Sequence, residues 1–304
     1  MLPDELIVGD DCSTDNTVAL VEDYAGHVPF PVLLKVNQKN LGSTKNFEET
    51  IKRCNGDLIF LSDQDDVWMR EKVETIEAEF SKNPRAGLVF TDAALVDENL
   101  ISLNDKLSSH TFPKRIQKKA RADEFYKTLL QGNTVTGATA AFRARFVKDV
   151  LPIPDYIPNL IHDAWIALVI SLLAEIVFLD KPLVKYRQHS AQQLGVNWEH
   201  ENSVSMKERL KKAIAFAEDQ NKVIENIAKT LTEFSALSCY EKVEQAINES
   251  HRETNEHITH LKNRWKALDT TRGRLPIILR ELLSGRYHRF SRGVLSAAKD
   301  IFED

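Results

Sequence analysis

The chain has 304 residues, 42% of them hydrophobic and 28% charged, enough to bury a catalytic-sized core with an appendage beside it. Its formal charge is -5, from 45 acidic against 40 basic residues, which excludes a global electrostatic footprint for nucleic acid. Three cysteines, Cys12, Cys54 and Cys239, share no short spacing, which argues against a disulfide framework or a zinc site and fits a reducing cytoplasm.

Met1 is followed at once by Pro3, Asp4 and Glu5, so no secretory signal peptide is expected. Leu6-Ile7-Val8 reads as a short strand opening into a polar loop, Gly9 to Thr17, after which Val18, Leu20 and Val21 begin a helix. Val32 to Val36 is the next strand, followed by a turn from Asn37 to Gly42 and a helix through Phe47 and Ile51. Leu58 to Leu61 is a third, buried strand, and Met69, Val73, Ile76 and Phe80 then recur at helical spacing. This alternation predicts parallel pairing with right-handed crossovers.

Gly87 to Asp92 is a further strand, and Asn133 to Phe142 a loop and strand rich in small residues. Pro152, Pro154 and Pro158 exclude regular helix around 155–159. A helix starts near His162, and the apolar run from Ala164 to Ala174 is too short to cross a bilayer, which makes it a buried helix. Ile176 to Leu179 and Leu183 to Tyr186 read as short strands around Pro182.

From about Trp198 the composition changes, which divides the chain into a first domain over 1–197 and a helical region over 198–304. Two long amphipathic helices are predicted there, Met206 to Leu231 and Leu237 to Leu268, of a kind that also pairs two copies of a chain. Between Thr270 and Ala298 there are six arginines and one glutamate among apolar residues. Such a segment suits either an anionic membrane surface or packing on its own protein with a solvated basic face.

The chemistry concentrates where the third strand ends. Asp63, Asp65 and Asp66 fall within four positions and repel one another unless a cation lies between them, and a hard divalent ion with oxygen ligands answers that need. A solvated turn or a helix N-terminus is the competing account. A calcium loop is excluded, because Trp68 stands where the sharp turn needs glycine and Val67 has no side-chain ligand.

Six ordered blocks carry a family resemblance from Leu6 to Gly195. They are Ile7 to Thr17; Asn40-Leu41-Gly42 with Asn46; Ser62 to Trp68; Thr136-Gly137-Ala138 with Phe142; His162-Asp163-Ala164-Trp165; and Tyr186-Arg187-Gln188-His189-Ser190. Together they resemble family-2 glycosyltransferases of the GT-A fold, and most resemble bacterial rhamnosyltransferases that build cell-surface polysaccharide. The resemblance implies an α/β fold with a mixed, mainly parallel sheet flanked by helices, and a C-terminal helical appendage.

It also implies roles. Asp10, Asp11, Ser13, Asp15, Asn40, Gly42, Asn46 and Asp63 would bind the donor, with Asp65 and His189 holding Mg²⁺ or Mn²⁺ and Arg187 adding charge. Asp163 would be the general base of an inverting transfer, and Gly137 and Trp165 would lie on the acceptor side. The implied donor is a nucleotide sugar, dTDP-rhamnose or a UDP-sugar, and the acceptor a saccharide of the cell surface or one linked to lipid. The implied location is the cytoplasm, or the periphery of the inner face of the cell membrane.

Two rivals stay open. A nucleotidyltransferase would also use paired carboxylates but wants a glycine-rich basic loop near its start, and a non-catalytic assembly protein would act through its long helices. The family's usual first strand and helix are not among the residues before Leu6, so the neighbouring strands are expected to carry unpaired edges, with lower stability and weaker nucleotide binding.

Overall fold

The apolar strand β1 (Leu6–Asp10) pairs in parallel with β2 (Val32–Val36) across helix α1 (Thr17–Ala25), giving a two-stranded sheet. The helix α2 (Ser43–Ile51) lies so close to β1 that a Cβ at Gly9 would stand 2.2 Å from Thr50 Oγ1 and 2.7 Å from Asn46 Oδ1. Only glycine permits that approach. In this computed structural model the described residues are 1–157, 160–189, 205–232, 240–270 and 273–302, and the chain divides into two compact units, Met1–Val196 and Asn197–Asp304.

The larger sheet of the first unit contains β3 (Leu58–Phe60), β4 (Val67–Trp68), β5 (Ala86–Val96), β6 (Ser102–Lys106), β7 (Ala140–Arg143) and β8 (Glu175–Arg187). Its order is β3-β7-β5-β8-β4, with β6 added on β5. Helices α3 (Lys72–Lys82) and α4 (His162–Leu173) flank it, and short helical turns occupy parts of 108–150. The core includes Ile76, Phe80, Val89, Ala141 and Leu183, joining α3 to the middle of the sheet.

The α/β architecture and the mixed sheet agree with expectation, but the pairing is less parallel than predicted. Among the described residues only β1 with β2 and β5 with β8 run parallel, while β3–β7, β5–β7, β4–β8 and β5–β6 are antiparallel. Here β4 follows β3 after a short loop and β7 follows a segment of short helical turns, so neither strand is placed by the strand–helix–strand crossover that parallel neighbours require. Leu183 to Tyr186 is not a separate strand either: β8 runs continuously from Glu175 to Arg187, its register on β5 shifting near Asp92 and Pro182.

Among the described residues, β1 and β3 each have a strand on one side only, and β1 belongs to a separate sheet. The Glu5 carboxylate bridges the two, accepting from the Asn55 backbone N–H at 2.6 Å, the Asn55 side chain at 3.2 Å and the Gly56 backbone N–H at 3.2 Å.

The second unit contains α5 (Met206–Leu231), α6 (Tyr240–Asp269), α7 (Arg274–Leu283), α8 (Arg286–Phe290) and α9 (Val294–Phe302). The expected start of the second long helix at Leu237 lies outside the described residues. Leu210 and Ala217 of α5 pack on Ile258 and Leu261 of α6. The arginine-rich segment forms three helices, interrupted at Gly285 and Gly293, whose positive φ angles favour glycine.

Their interior is ionic as well as apolar. Arg264 donates to both oxygens of fully buried Asp300 at 2.6 and 2.8 Å, and the Tyr287 hydroxyl donates to the same carboxylate at 2.5 Å. Glu281, buried too, bonds to His260, Asn263 and Arg286. Burial pushes its acidity the other way, but those bonds hold the carboxyl down at about 2. Among the described residues no helix is long and apolar enough to cross a membrane.

Gly9→Ala is expected to lower stability by about 1–3 kcal/mol, since the added methyl forces α2 off β1; urea denaturation with near-wild-type values would contradict the close approach. Asp300→Ala leaves Arg264 and Tyr287 buried without their acceptor, and the second unit should lose about 3–5 kcal/mol. Denaturation followed through α-helical ellipticity reads that loss.

Candidate active site

The strand register carries the functional side chains to one edge. Because β7 is antiparallel to β3, its start meets the end of β3, with the Leu61 N–H bonded to the Ala140 carbonyl at 3.0 Å. The turn Gly137–Thr139 therefore lies beside the loop Ser62–Asp66, and the end of β8 closes the same edge: the Arg187 N–H donates to Asp66 Oδ1 at 2.9 Å. This is the carboxyl end of the strands, where open α/β sheets bind ligands.

The carboxylates there are crowded and partly dehydrated. Burial pushes Asp63 up to about 6, with Asp65 adding to it. Burial also pushes Asp66 up to about 7, against the Arg187 N–H and with help from Asp65 and Asp63. Beneath them lies Lys72, which the sequence pattern did not single out. Its fully buried ammonium donates to the Ala138 carbonyl at 2.6 Å and sits 3.7 Å from the centre of the Trp68 ring. Burial lowers its pKa to about 7, while Asp66 and Asp63 pull the other way. A lysine at the first turn of a helix is ordinarily solvated, so nothing in the linear pattern distinguishes it.

Asp163, the expected base, begins α4 and is 6% exposed. Its Oδ2 accepts from the Gly137 N–H at 2.8 Å, and its Oδ1 from Asn133 Nδ2 at 3.1 Å and the Ala164 N–H at 2.6 Å. Burial raises it to about 6 against these bonds, and the charge of Asp63 raises it further. Burial likewise raises Tyr186, which feels Asp66, Asp63, Asp65 and Asp163 together, so the four carboxylates form one electrostatic neighbourhood.

Gly137 holds Asp163 through its backbone N–H, and there is little room for a side chain: a Cβ there would stand 3.2 Å from His162 Nε2 and 3.3 Å from Asp163 Cβ. Trp165 is a correction to expectation. It is fully buried and its indole donates to the Val150 carbonyl at 2.9 Å, so it packs the core and offers no surface to an acceptor. His162 stands in one of the sequence blocks but received no role there. Its ring stacks on Phe47 at 3.8 Å, both ring nitrogens are buried without partners, and burial lowers its pKa to about 4, which keeps it neutral.

The expected donor residues divide by what they touch. Asp11 accepts from Asn37 at 2.9 Å and from the Leu41 and Gly42 amides at 2.8 Å each, and the Asn40 side chain donates to the Asp11 carbonyl at 3.3 Å. Asn46 bridges the Asn37 side chain and the Gly9 carbonyl. Asp11, Asn40, Gly42 and Asn46 thus lock the loop after β1 to the turn before α2. Asp15 accepts from Thr17 at the start of α1, and buried Asp10 accepts from the Ser13 N–H at 3.1 Å. Through α2, Asn46 on β1 is followed directly by Phe47 on His162, which joins this corner to Asp163.

Asp65 and His189 do meet, Oδ2 to Nε2 at 3.0 Å. The Arg187 guanidinium donates to the backbone carbonyls of Asp65 at 2.7 Å and Glu98 at 2.5 Å, which fixes its positive charge beside the carboxylate cluster. Among the described residues no group of three or more His, Cys, Asp and Glu side chains is placed to hold a metal ion. A magnesium-like ion needs only one or two carboxylates alongside substrate phosphates, and Asp66 Oδ2 is buried with no hydrogen-bond partner. The donor set therefore fits a hard divalent ion shared with a phosphorylated ligand.

The sequence profile described as Glycosyl transferase family 2 matches residues 1–151. The chain is 28% identical over 199 residues to dTDP-rhamnosyl transferase RfbG of Shigella flexneri, covering 63% of this chain and 65% of that protein, so the match spans just under two thirds of the relative's length. It is 26% identical over 73 residues to abequosyltransferase RfbV of Salmonella typhimurium, covering 24% and 22% of the two chains. The mannosyltransferase of Pyrobaculum calidifontis, solved with GDP-mannose and Mn²⁺, superposes with a TM-score of 0.51 at 16% identity, covering 98% of this chain and 78% of that one.

The shifted groups make stability depend on pH with a definite sign. Asp63, Asp66 and Asp163 hold protons more tightly folded than at 3.8, so their contribution is complete below 3.8 and is lost as pH rises through about 6 to 7. Lys72, lowered from 10.5 to about 7, holds its proton less tightly when folded, so its contribution grows between those values. Lys72→Met should abolish the recovery in urea midpoint above pH 7; a variant whose midpoint still rises there would show that Lys72 is not the group responsible.

Proposed function

Since residues 1–151 form a glycosyl transferase family 2 domain and the chain has the GT-A fold, we propose that it transfers a sugar from a nucleotide-diphosphate donor to a hydroxyl acceptor with inversion, using Asp163 as general base. The observation that carries this reading is the state of Asp163: a buried carboxylate, raised to about 6, fixed by the Gly137 amide and sharing a field with Asp63. A base with a pKa near the working pH combines availability with proton affinity.

In this reading the acceptor hydroxyl gives its proton to Asp163 as its oxygen forms the bond to the anomeric carbon. The bond from that carbon to the diphosphate oxygen breaks on the opposite face, so the configuration inverts. The Gly137 N–H and Asn133 orient the carboxylate, and the proton then passes to water.

Asp63 is proposed to face the ribose, with Asp10, Ser13 and Asp15 bordering the nucleoside. Asp11, Asn40, Gly42 and Asn46 support that corner by shaping the loops around it. Asp65 and His189 would hold Mg²⁺ or Mn²⁺, which when bound stabilises the negative charge of the departing diphosphate as a Lewis acid. The proposed donor is dTDP-rhamnose, on the strength of the Shigella flexneri relative alone, and the proposed acceptor is a saccharide of a cell-surface polysaccharide or its lipid-linked precursor.

Asp163→Asn keeps the side chain's size and removes its basicity, so turnover should fall by about 10²–10⁴-fold with donor affinity nearly unchanged. Asp65→Ala should instead weaken the effect of Mn²⁺ on donor binding. Titration calorimetry with dTDP-rhamnose and a transfer assay separate the two, and an Asp163→Asn protein retaining substantial turnover would sink the assignment.

A further inference from the structure

We infer that α7 and α9 form a docking face for an anionic lipid surface. At about 100° per residue, Leu275, Leu279 and Leu283 fall on one arc of about 80° along α7. They are 54%, 56% and 88% exposed. Val294 and Phe302 share a corresponding arc of α9 with Leu295 beside them, and they too are exposed. The opposite sides of both helices are buried, Ile278 and Ala297 packing with Ala267 and Tyr287.

Charge selects the occupant. Within 273–302 the only acidic residues are Glu281 and Asp300, both buried and engaged by arginine inside the bundle. The cations Arg280, Arg292 and Lys299 are exposed, Arg280 and Lys299 lying beside the apolar arcs of α7 and α9 at matching helical angles. Arg289 is different, since it pairs with Glu253 and Glu256 of α6. Apolar side chains flanked by cations, with the carboxylates turned inward, match a bilayer whose headgroups are anionic. A second copy of this chain meets the same face with charge of the same sign, which opposes self-association.

Membrane docking needs neither donor nor turnover, so it stands apart from the transfer reaction. The full-length protein is mixed with vesicles of phosphatidylcholine containing phosphatidylglycerol, or of phosphatidylcholine alone, and sedimented. It should sediment with the anionic vesicles, less so as salt rises. Two double variants, Leu279→Glu with Leu283→Glu and Arg280→Glu with Lys299→Glu, should each weaken binding by at least about tenfold. Leu20→Glu, at an exposed leucine of the first unit, should bind as the wild type does.

All these side chains are exposed, and circular dichroism melts confirm that the variants fold. No binding to anionic vesicles, equal binding to neutral ones, or binding indifferent to both double variants overturns the inference. A dimer dispersed by the leucine variants without vesicle binding overturns it equally, by assigning the face to a second copy.

Discussion

Like charges crowded at the end of a strand are the constraint around which the first unit is organised. Asp63, Asp65 and Asp66 follow β3 within four positions, and each has a different answer from its surroundings. Lys72 lies beneath Asp63 and Asp66, the Arg187 N–H meets Asp66, and His189 meets Asp65. These answers are incomplete, since Asp63 and Asp66 remain raised to about 6 and about 7 and one oxygen of Asp66 has no partner. A site left short of positive charge in this way favours an arriving cation, which displaces protons as it binds. The lysine that compensates it must stay in place, and the aromatic face of Trp68 and the Ala138 carbonyl hold it there.

Elsewhere in the same unit, side chains of acidic and amide residues serve mainly to hold backbone. Asp11 fixes the amides of Leu41 and Gly42, Asn46 holds the Gly9 carbonyl, and Glu48 accepts from the Ile153 N–H at 2.8 Å. Each bond joins segments far apart in sequence. A loop has few apolar contacts to fix it, so directional bonds to its backbone give it a single shape. Asp163 combines both duties, because the Gly137 amide that orients it also anchors the turn ahead of β7. The second unit sorts charge by depth instead, turning Glu281 and Asp300 inward to arginine.

Much of this is legible in the sequence. Hydrophobic period and turn residues located β1, β2, β3 and the start of α4, because each is a run whose pattern is local. The carboxylate cluster was legible for the same reason, and six blocks in order singled out Asp163 as the proposed base. Strand direction was not: β7 and β4 enter the sheet antiparallel, and neither carries a local mark of its partner. Trp165 was expected on the acceptor side near the proposed base, yet two positions along a helix turn a side chain by about 200°, and the tryptophan lies fully in the core.

The sequence by itself determined the family resemblance, the alternation of strands and helices, and the identity of the ionisable groups, since these depend on residue type and near-neighbour spacing. Only the tertiary structure decided how those groups behave. Burial and approach from distant segments raise Asp63, Asp66 and Asp163, lower Lys72, and separate Asp11 and Asn46, which hold loops, from Asp65 and His189, which face each other. Dehydration and charge proximity are properties of a three-dimensional neighbourhood, and residues 66 or 124 positions apart become neighbours only when the chain folds.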